Sequence, residues 1–191
     1  MEDSFRLGVQ IFNAGFRPTF IVGLWRGGST VGIYVQECLQ TLKVQSDHIA
    51  IRTSYEGAAD YNESINNPDE GIRVHGTQYL LETLNTKDKL LIVDDVFSTG
   101  RSVDAVIQRL ETRLKRNMPA ELKVASLWYK PNARRTQREP DFYQRETSDW
   151  LVLPYELSGL TDDELRQHKP LAADLLRHEL VKDDSTTRNV E

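Results

Sequence analysis

The chain has 191 residues, of which 39% are hydrophobic and 28% charged, and its formal net charge is −5. These proportions are typical of a folded globular domain, and the acidic balance argues against nucleic acid as the main partner because phosphate backbones favour basic surfaces. The single cysteine, Cys38, excludes an intramolecular disulfide. No apolar run is long enough to span a bilayer, and the start Met-Glu-Asp lacks the order of a signal peptide. We therefore expect a cytoplasmic protein without membrane contact.

Apolar spacing divides the chain into alternating helices and strands. This alternation predicts right-handed crossovers and a mainly parallel, twisted sheet flanked by helices, which is the α/β class. In chain order the predicted elements are a helix over residues 2–14 that stops at Gly15, a strand over 19–24, a helix over 30–42, a strand over 48–52, an irregular loop over 53–75, a helix over 77–84, a strand over 90–93, a helix over 103–117, a strand over 122–129 and helical segments over 160–181.

The strand over 90–93 leads into a polar turn. It stops at Asp94 and Asp95, and a turn rich in hydroxyl groups then opens the next helix. In an open α/β sheet, ligands bind outside the carboxyl ends of the strands, and the free amides at a helix start suit a phosphate group. Carboxylates would repel a phosphate, so we expect the two acids to accept hydrogen bonds from sugar hydroxyls or to hold a divalent cation.

Residues 93–102, Val-Asp-Asp-Val-Phe-Ser-Thr-Gly-Arg-Ser, resemble the phosphoribosyl-pyrophosphate (PRPP) motif of the type I phosphoribosyltransferases. The resemblance implies the type I phosphoribosyltransferase fold and a Mg²⁺-dependent enzyme. It implies that Asp94 and Asp95 hold the ribose hydroxyls, directly or through the metal. The residues implied to wrap the 5′-phosphate are Phe97, Ser98, Thr99, Gly100, Arg101 and Ser102.

The same resemblance assigns roles outside this motif. Arg26, Gly27 and Gly28 follow the first strand and are similar to the family's pyrophosphate-binding loop, in which a cis peptide commonly precedes the first glycine. Ser54 and Tyr55 match a pair in the flexible loop that closes over the site. Lys130 and the run from Ser148 to Glu156 are similar to the base-binding segments of purine enzymes. They imply that Lys130 contacts O6 of the base, Trp150 stacks on it, Leu151 offers backbone groups to its edge, and Glu156 lies near the pyrophosphate and metal.

The resemblance covers about residues 19–156, and we expect one phosphoribosyltransferase domain over residues 1–191. Its core would span about 15–135, a small hood lobe about 136–160 plus the N-terminal segment, and a helical tail 161–191. We expect a homodimer or homotetramer. The predicted reaction transfers 5-phosphoribosyl from PRPP to N9 of a 6-oxopurine base, which gives the nucleoside monophosphate (IMP, GMP or XMP) and pyrophosphate in purine salvage.

Ser98 departs from the family's pattern, since hypoxanthine-guanine enzymes usually carry an acid immediately before the Thr-Gly pair. A serine can hydrogen-bond N7 of the purine but is a poor base at neutral pH. Hypoxanthine and guanine remain the first choice, with xanthine close behind because its anion could bind directly. Two alternatives stay open: a non-catalytic PRPP-sensing regulator on the same fold, and a pyrimidine phosphoribosyltransferase.

Overall fold

The structure is a computed structural model, and it describes residues 1–55, 72–158 and 160–177, with only the backbone of Tyr55. The middle of the predicted loop (56–71) and the end of the predicted tail (178–191) lie outside these residues. The helices are α1 (Glu2–Asn13), α2 (Gly27–Thr41), α3 (Gln78–Thr83), α4 (Arg101–Leu114) and α5 (Asp162–His168), and residues 170–177 are also helical. The strands are β1 (Phe20–Trp25), β2 (Asp47–Tyr55), β3 (Ile72–His75), β4 (Lys89–Phe97), β5 (Glu121–Tyr129) and β6 (Phe142–Glu146).

The six strands form one sheet in the order β3-β2-β1-β4-β5-β6. Every neighbouring pair is parallel except β2 and β3, which are antiparallel. β1 and β4 lie in the middle, so the stretches 20–24 and 90–93 are covered on both faces and carry no polar side chain. The predicted α/β class with a mainly parallel sheet is confirmed.

Alternate residues of β4 belong to two separate hydrophobic cores, as the two-residue period of a strand requires. Leu90 and Ile92 pack in one core with the apolar stripe of α4, which is Val103, Val106, Ile107, Leu110 and Leu114. Leu91 and Val93 pack in the other core with α1 and α2. All four side chains of β4 are fully buried. Helices on both faces thus hold the strand that ends at the two acids.

Three predicted boundaries were wrong because strand pairing extends further than the local sequence shows. β4 continues past residue 93 to Phe97, since its second half pairs with β5. The predicted loop over 53–75 begins and ends in strand, because the end of β2 pairs with β3 between Arg52 and Tyr55. Residues Asp141 to Tyr143 were placed in the hood lobe, whereas Phe142–Glu146 form the edge strand of the main sheet.

Two helix ends illustrate how glycine acts in this chain. Gly15 follows α1 with φ of 81°, the left-handed conformation that ends a helix at low cost with glycine, so the predicted stop is confirmed. α2 begins at Gly27, earlier than the predicted residue 30. Both glycines of the Arg-Gly-Gly sequence therefore belong to the first turn of a helix.

The chain divides into two compact units, Met1–Ser148 and Asp149–Glu191. In the second unit, Thr161 begins α5 with a capping box. Its hydroxyl oxygen accepts from the Glu164 N–H at 3.3 Å, and the Glu164 carboxylate accepts from the Thr161 N–H at 2.8 Å. A helix near the start of the predicted helical segments over 160–181 is thereby confirmed. Among the described residues, no helix combines the length and apolar character that crossing a membrane requires.

Candidate active site

Two adjacent carboxylates lie near the carboxyl end of the central strand β4. Asp94 and Asp95 are half-buried, and Asp94 Oδ1 accepts the Asp95 backbone N–H at 3.0 Å. Burial, and secondly the carboxylate of Asp95, raise the pKa of Asp94 well above its ordinary value. Two adjacent carboxylates with little access to water are stabilised by a bound cation or by hydroxyl groups that donate hydrogen bonds to them. The pair is thus suited to binding a ligand that supplies such groups.

A tight turn joins these acids to α4. Gly100 has φ of 78°, and a Cβ added there would lie 2.4 Å from Thr136 Oγ1 and 2.9 Å from the Phe97 ring. Only glycine satisfies both the backbone conformation and the space. The Thr99 hydroxyl oxygen accepts the Arg101 N–H at 3.3 Å. Since the first amides of a helix have no intrahelical acceptor, the turn presents donors at the positive end of α4.

The turn is held in place from β5 and the residues after it. The Ser126 hydroxyl, fully buried, accepts the Phe97 N–H at 3.0 Å. The Phe97 carbonyl accepts the Lys130 N–H at 2.9 Å, and the Thr99 carbonyl accepts the Arg135 N–H at 3.0 Å. Sequence reasoning missed Ser126, Arg135 and Thr136 as site residues. The hydroxyl of Ser126 within the apolar run of β5 was the one signal that could have indicated a special position.

A second strand-to-helix turn lies against the first. The peptide bond between Trp25 and Arg26 is cis, directly before Gly27, as the resemblance implied. A Cβ added to Gly28 would lie 2.3 Å from the Val93 carbonyl oxygen and 2.8 Å from Asp94 Cα. Gly28 is therefore required for the start of α2 to touch β4. This contact places the Arg26–Gly28 turn beside the acid pair, and the pyrophosphate-binding role of Arg26, Gly27 and Gly28 stays a prediction.

Lys130 lies next to the turn at Gly100, whereas Ser54 lies in the paired strands β2 and β3. Lys130 follows the last residue of β5 and is half-buried. Its backbone N–H donates to the carbonyl of Phe97, which directly precedes the turn at Gly100. Ser54 and Tyr55 were predicted in a loop but lie in the paired part of β2, and their role in closing the site stays a prediction. The Ser54 hydroxyl is 3.1 Å from Nε2 of His75 on β3. Ser54 thus stabilises the β2–β3 pair.

The other predicted base-site residues belong to the second unit. Trp150 is 66% exposed and Leu151 is half-buried. The Glu156 carboxylate accepts the Leu153 N–H at 2.9 Å, and the Leu153 carbonyl accepts from Lys169 Nζ at 2.8 Å. Glu156 therefore closes its own turn. The roles predicted for Trp150, Leu151 and Glu156 stay predictions.

The acid pair supplies the two residues that would hold the predicted Mg²⁺. Within residues 1–55, 72–158 and 160–177, no three His, Cys, Asp or Glu side chains cluster in a way that could hold a metal ion. Mg²⁺ is commonly held by one or two carboxylates together with water and substrate phosphates, rather than by a protein cage. Asp94 and Asp95 match that requirement, since burial and secondly the Asp95 carboxylate raise the pKa of Asp94 and a bound cation would favour its charged form.

Comparison with known proteins identifies the family. A family model described as the phosphoribosyl transferase domain matches residues 5–158, which include both strand-to-helix turns and the acid pair. The chain belongs to the phosphoribosyltransferase family. The resemblance to this family and the predicted type I phosphoribosyltransferase fold are thereby confirmed. No curated protein matches this phosphoribosyltransferase at a significant level.

Solved structures with the same fold share little sequence with this phosphoribosyltransferase. A purine phosphoribosyltransferase from Pyrococcus horikoshii is 24% identical with a TM-score of 0.61, over 84% of this chain and 91% of its own. A Neisseria gonorrhoeae protein with bound ppGpp is 19% identical with a TM-score of 0.63, over 86% and 88%. A mutant hypoxanthine phosphoribosyltransferase from Trypanosoma cruzi, in complex with the product IMP, is 19% identical with a TM-score of 0.60, over 83% and 78%. At these identities the likeness shows the fold.

Proposed function

We propose that this chain is a Mg²⁺-dependent purine phosphoribosyltransferase that joins the 5-phosphoribosyl group of PRPP to N9 of a 6-oxopurine. The observation that carries the proposal is the meeting of three features at one edge of the sheet. These are the acid pair of β4, the turn at Gly100 that β5 holds by hydrogen bonds, and the Arg26–Gly28 turn that packs on Asp94. The structures named for purine transfer support the choice of base class.

In this proposal the protein mainly positions its substrates. The Asp94 and Asp95 carboxylates accept hydrogen bonds from the ribose hydroxyls, and the amides of residues 97–102 with the Thr99 and Ser102 hydroxyls bind the 5′-phosphate. Mg²⁺, when bound, supplies positive charge that offsets the pyrophosphate. Arg26 binds the pyrophosphate oxygens through its guanidinium fork. Such preorganised charge is a main source of rate acceleration.

In the chemical step, N9 forms a bond to C1′ of the ribose while the bond from C1′ to the pyrophosphate oxygen breaks. Lys130 donates a hydrogen bond to O6 of the base, which selects 6-oxopurines over adenine because an ammonium group cannot accept from an amino group. Trp150 stacks on the base, and Leu151 contacts its edge. Ser98 donates to or accepts from N7 without removing a proton, so the base reacts as its anion or loses the proton to water.

The test is pyrophosphate release from PRPP and Mg²⁺ with hypoxanthine, guanine, xanthine, adenine and uracil in parallel. We expect turnover with one or more 6-oxopurines and none with adenine or uracil. Asp95→Asn, which keeps the side-chain shape and removes the charge, should abolish turnover while the melting temperature stays near that of the wild type. Turnover with uracil alone would identify a pyrimidine enzyme. Silence with every base, together with measurable PRPP binding, would identify a non-catalytic PRPP-binding regulator.

A further inference from the structure

Residues 130–139, which lie between β5 and β6, form a loop that packs on the turn at Gly100. The Arg135 N–H donates to the Thr99 carbonyl at 3.0 Å. The Thr136 hydroxyl oxygen lies nearest to the position that a Cβ on Gly100 would occupy. Two consecutive residues of the loop therefore hold the turn, one by a backbone hydrogen bond and the other by close packing.

A single side chain, that of Arg134, closes this loop onto itself. Its Nη1 donates to the carbonyls of Thr136 and Gln137, each at 3.0 Å, and its Nη2 lies 3.1 Å from Glu139 Oε1. The side chain is 29% exposed, so these contacts are partly shielded from water. A guanidinium presents several N–H donors in a rigid plane, which lets one side chain bind three acceptors at fixed positions. Arg134 therefore fixes the path of residues 135–139.

Glu139, the ion-pair partner of Arg134, connects the loop to the aromatic side chains beside the turn. Its carboxylate accepts a hydrogen bond from the Tyr129 hydroxyl. The Tyr129 ring meets the ring of Phe97 edge to face, with the centroids 5.9 Å apart, and Phe97 is the last residue of β4 before the turn. Arg134 is therefore linked to the turn by two routes, the backbone of residues 135–136 and the contacts through Glu139 and Tyr129.

We propose that Arg134 is a positioning residue for the 5′-phosphate turn, because it keeps Arg135 and Thr136 where they hold that turn. This inference rests on the proposed function for its effect on PRPP, and it gives Arg134 no contact with the substrate. The phosphate must meet several amides of the turn at once, so a small displacement of the turn weakens all of these hydrogen bonds together. Loss of the Arg134 side chain should therefore weaken PRPP binding without removing any group that binds PRPP.

The test compares Arg134→Gln with the control Arg145→Gln. Both substitutions remove one positive charge and one ion pair, since Arg145 Nε lies 3.0 Å from Asp3 Oδ2 of α1. Arg145 lies on β6, outside the loop of residues 130–139. The first measurement is amide hydrogen exchange of the full chain without ligand, with the amides in the middle of β5 as the internal reference. The second is a calorimetric titration of each protein with PRPP and Mg²⁺.

In Arg134→Gln the Arg135 amide should exchange at least about tenfold faster, while the amides in the middle of β5 keep their wild-type rates. The dissociation constant for PRPP should rise about fivefold. Arg145→Gln should change neither quantity. Unchanged exchange at Arg135, faster exchange throughout β5, an equal response of the control or unchanged PRPP affinity would overturn the proposal. Hydrogen exchange needs no substrate, so failure of the positioning role is distinguishable from failure of the proposed function, which would appear as absence of PRPP binding by the wild type.

Discussion

Ser126 and Phe97 join the middle of β5 to the end of β4 through one buried hydrogen bond, from the Phe97 N–H to the Ser126 hydroxyl oxygen at 3.0 Å. The same hydroxyl donates to the Trp128 carbonyl at 2.9 Å. Phe97 is the last residue of β4 before the turn at Gly100, and it is 1% exposed. The position of the turn therefore depends on the Ser126 side chain of the neighbouring strand. Ser126 itself takes no part in the proposed reaction.

Replacement of Ser126 by alanine should weaken PRPP binding. The loss of binding should be greater than the loss of folding stability alone would cause. The Phe97 N–H would lose its acceptor in a buried place, which costs about 1–3 kcal/mol in the free energy of unfolding. Because the turn loses one of its fixed points, the KM for PRPP should rise about tenfold. Steady-state kinetics and urea unfolding measure the two effects.

Val124→Ala is the matched control for this prediction. Val124 lies on the same strand and is fully buried, and the loss of its methyl groups costs about 2 kcal/mol. It makes no bond to the turn, so the KM for PRPP should stay near the wild-type value. An equal rise in KM in both variants would mean that general destabilisation, rather than the Ser126 bond, governs the turn.

Gly100→Ala should destabilise the fold more than Gly15→Ala. Both glycines have φ near 80°, at 78° and 81°, but a Cβ at Gly15 meets no atom within 4 Å while one at Gly100 lies 2.4 Å from Thr136 Oγ1. Gly15→Ala therefore measures only the cost of placing alanine in the left-handed backbone conformation, about 1–2 kcal/mol in the free energy of unfolding. The additional loss in Gly100→Ala measures the contact with Thr136 and the Phe97 ring, and chemical unfolding of both variants gives it. Equal losses in the two variants would contradict the close packing behind the turn.

Asp94→Asn should stabilise the folded chain while it removes the proposed activity. Burial and Asp95 raise the pKa of Asp94 in the folded state above its unfolded value. A raised carboxyl pKa means that folding favours the protonated form, so the wild type loses stability as pH rises from the unfolded pKa of about 3.9 towards the folded one. The melting temperature of Asp94→Asn should therefore exceed that of the wild type at pH 8, and the difference should shrink at pH 4.

Asp141→Asn is a control for the loss of a carboxylate in general. The Asp141 carboxylate accepts from Lys123 Nζ at 2.7 Å and from the Val124 N–H at 2.8 Å. Its substitution removes favourable contacts and should lower the melting temperature. A lower melting temperature in Asp94→Asn as well would show that the Asp94 charge is stabilised rather than strained.

The sequence predicted the features that depend on residues close to one another along the chain. An apolar run, two acids and the small residues around Gly100 identified β4, its turn and the start of α4, because strand burial and helix-start chemistry depend on neighbouring residues. β3 has only four residues, and it is a strand because it pairs with the end of β2. Ser54 was misplaced for the same reason.

Ser126 shows the limit of reading residues one at a time within the candidate site. Its function depends on which atom lies opposite it on the next strand, and no local pattern of β5 contains that information. The sequence also did not show that Gly28 lies in close contact with Val93 and Asp94 of β4. Contacts across the sheet thus decided what the sequence left open.

Ser98→Asp should raise turnover with hypoxanthine by about 10²-fold, which lies at the lower end of the usual effect of a positioned base. Ser98 is half-buried in the turn after the acid pair, where the resemblance places N7 of the base. A carboxylate there can take the proton that serine cannot. The gain with xanthine should be smaller, because xanthine is the more acidic base and supplies more of its anion. Ser98→Asn, which matches aspartate in size but cannot act as a base, should give no gain. Equal gains in both variants, or no gain in Ser98→Asp, would show that proton removal at this position does not limit the reaction.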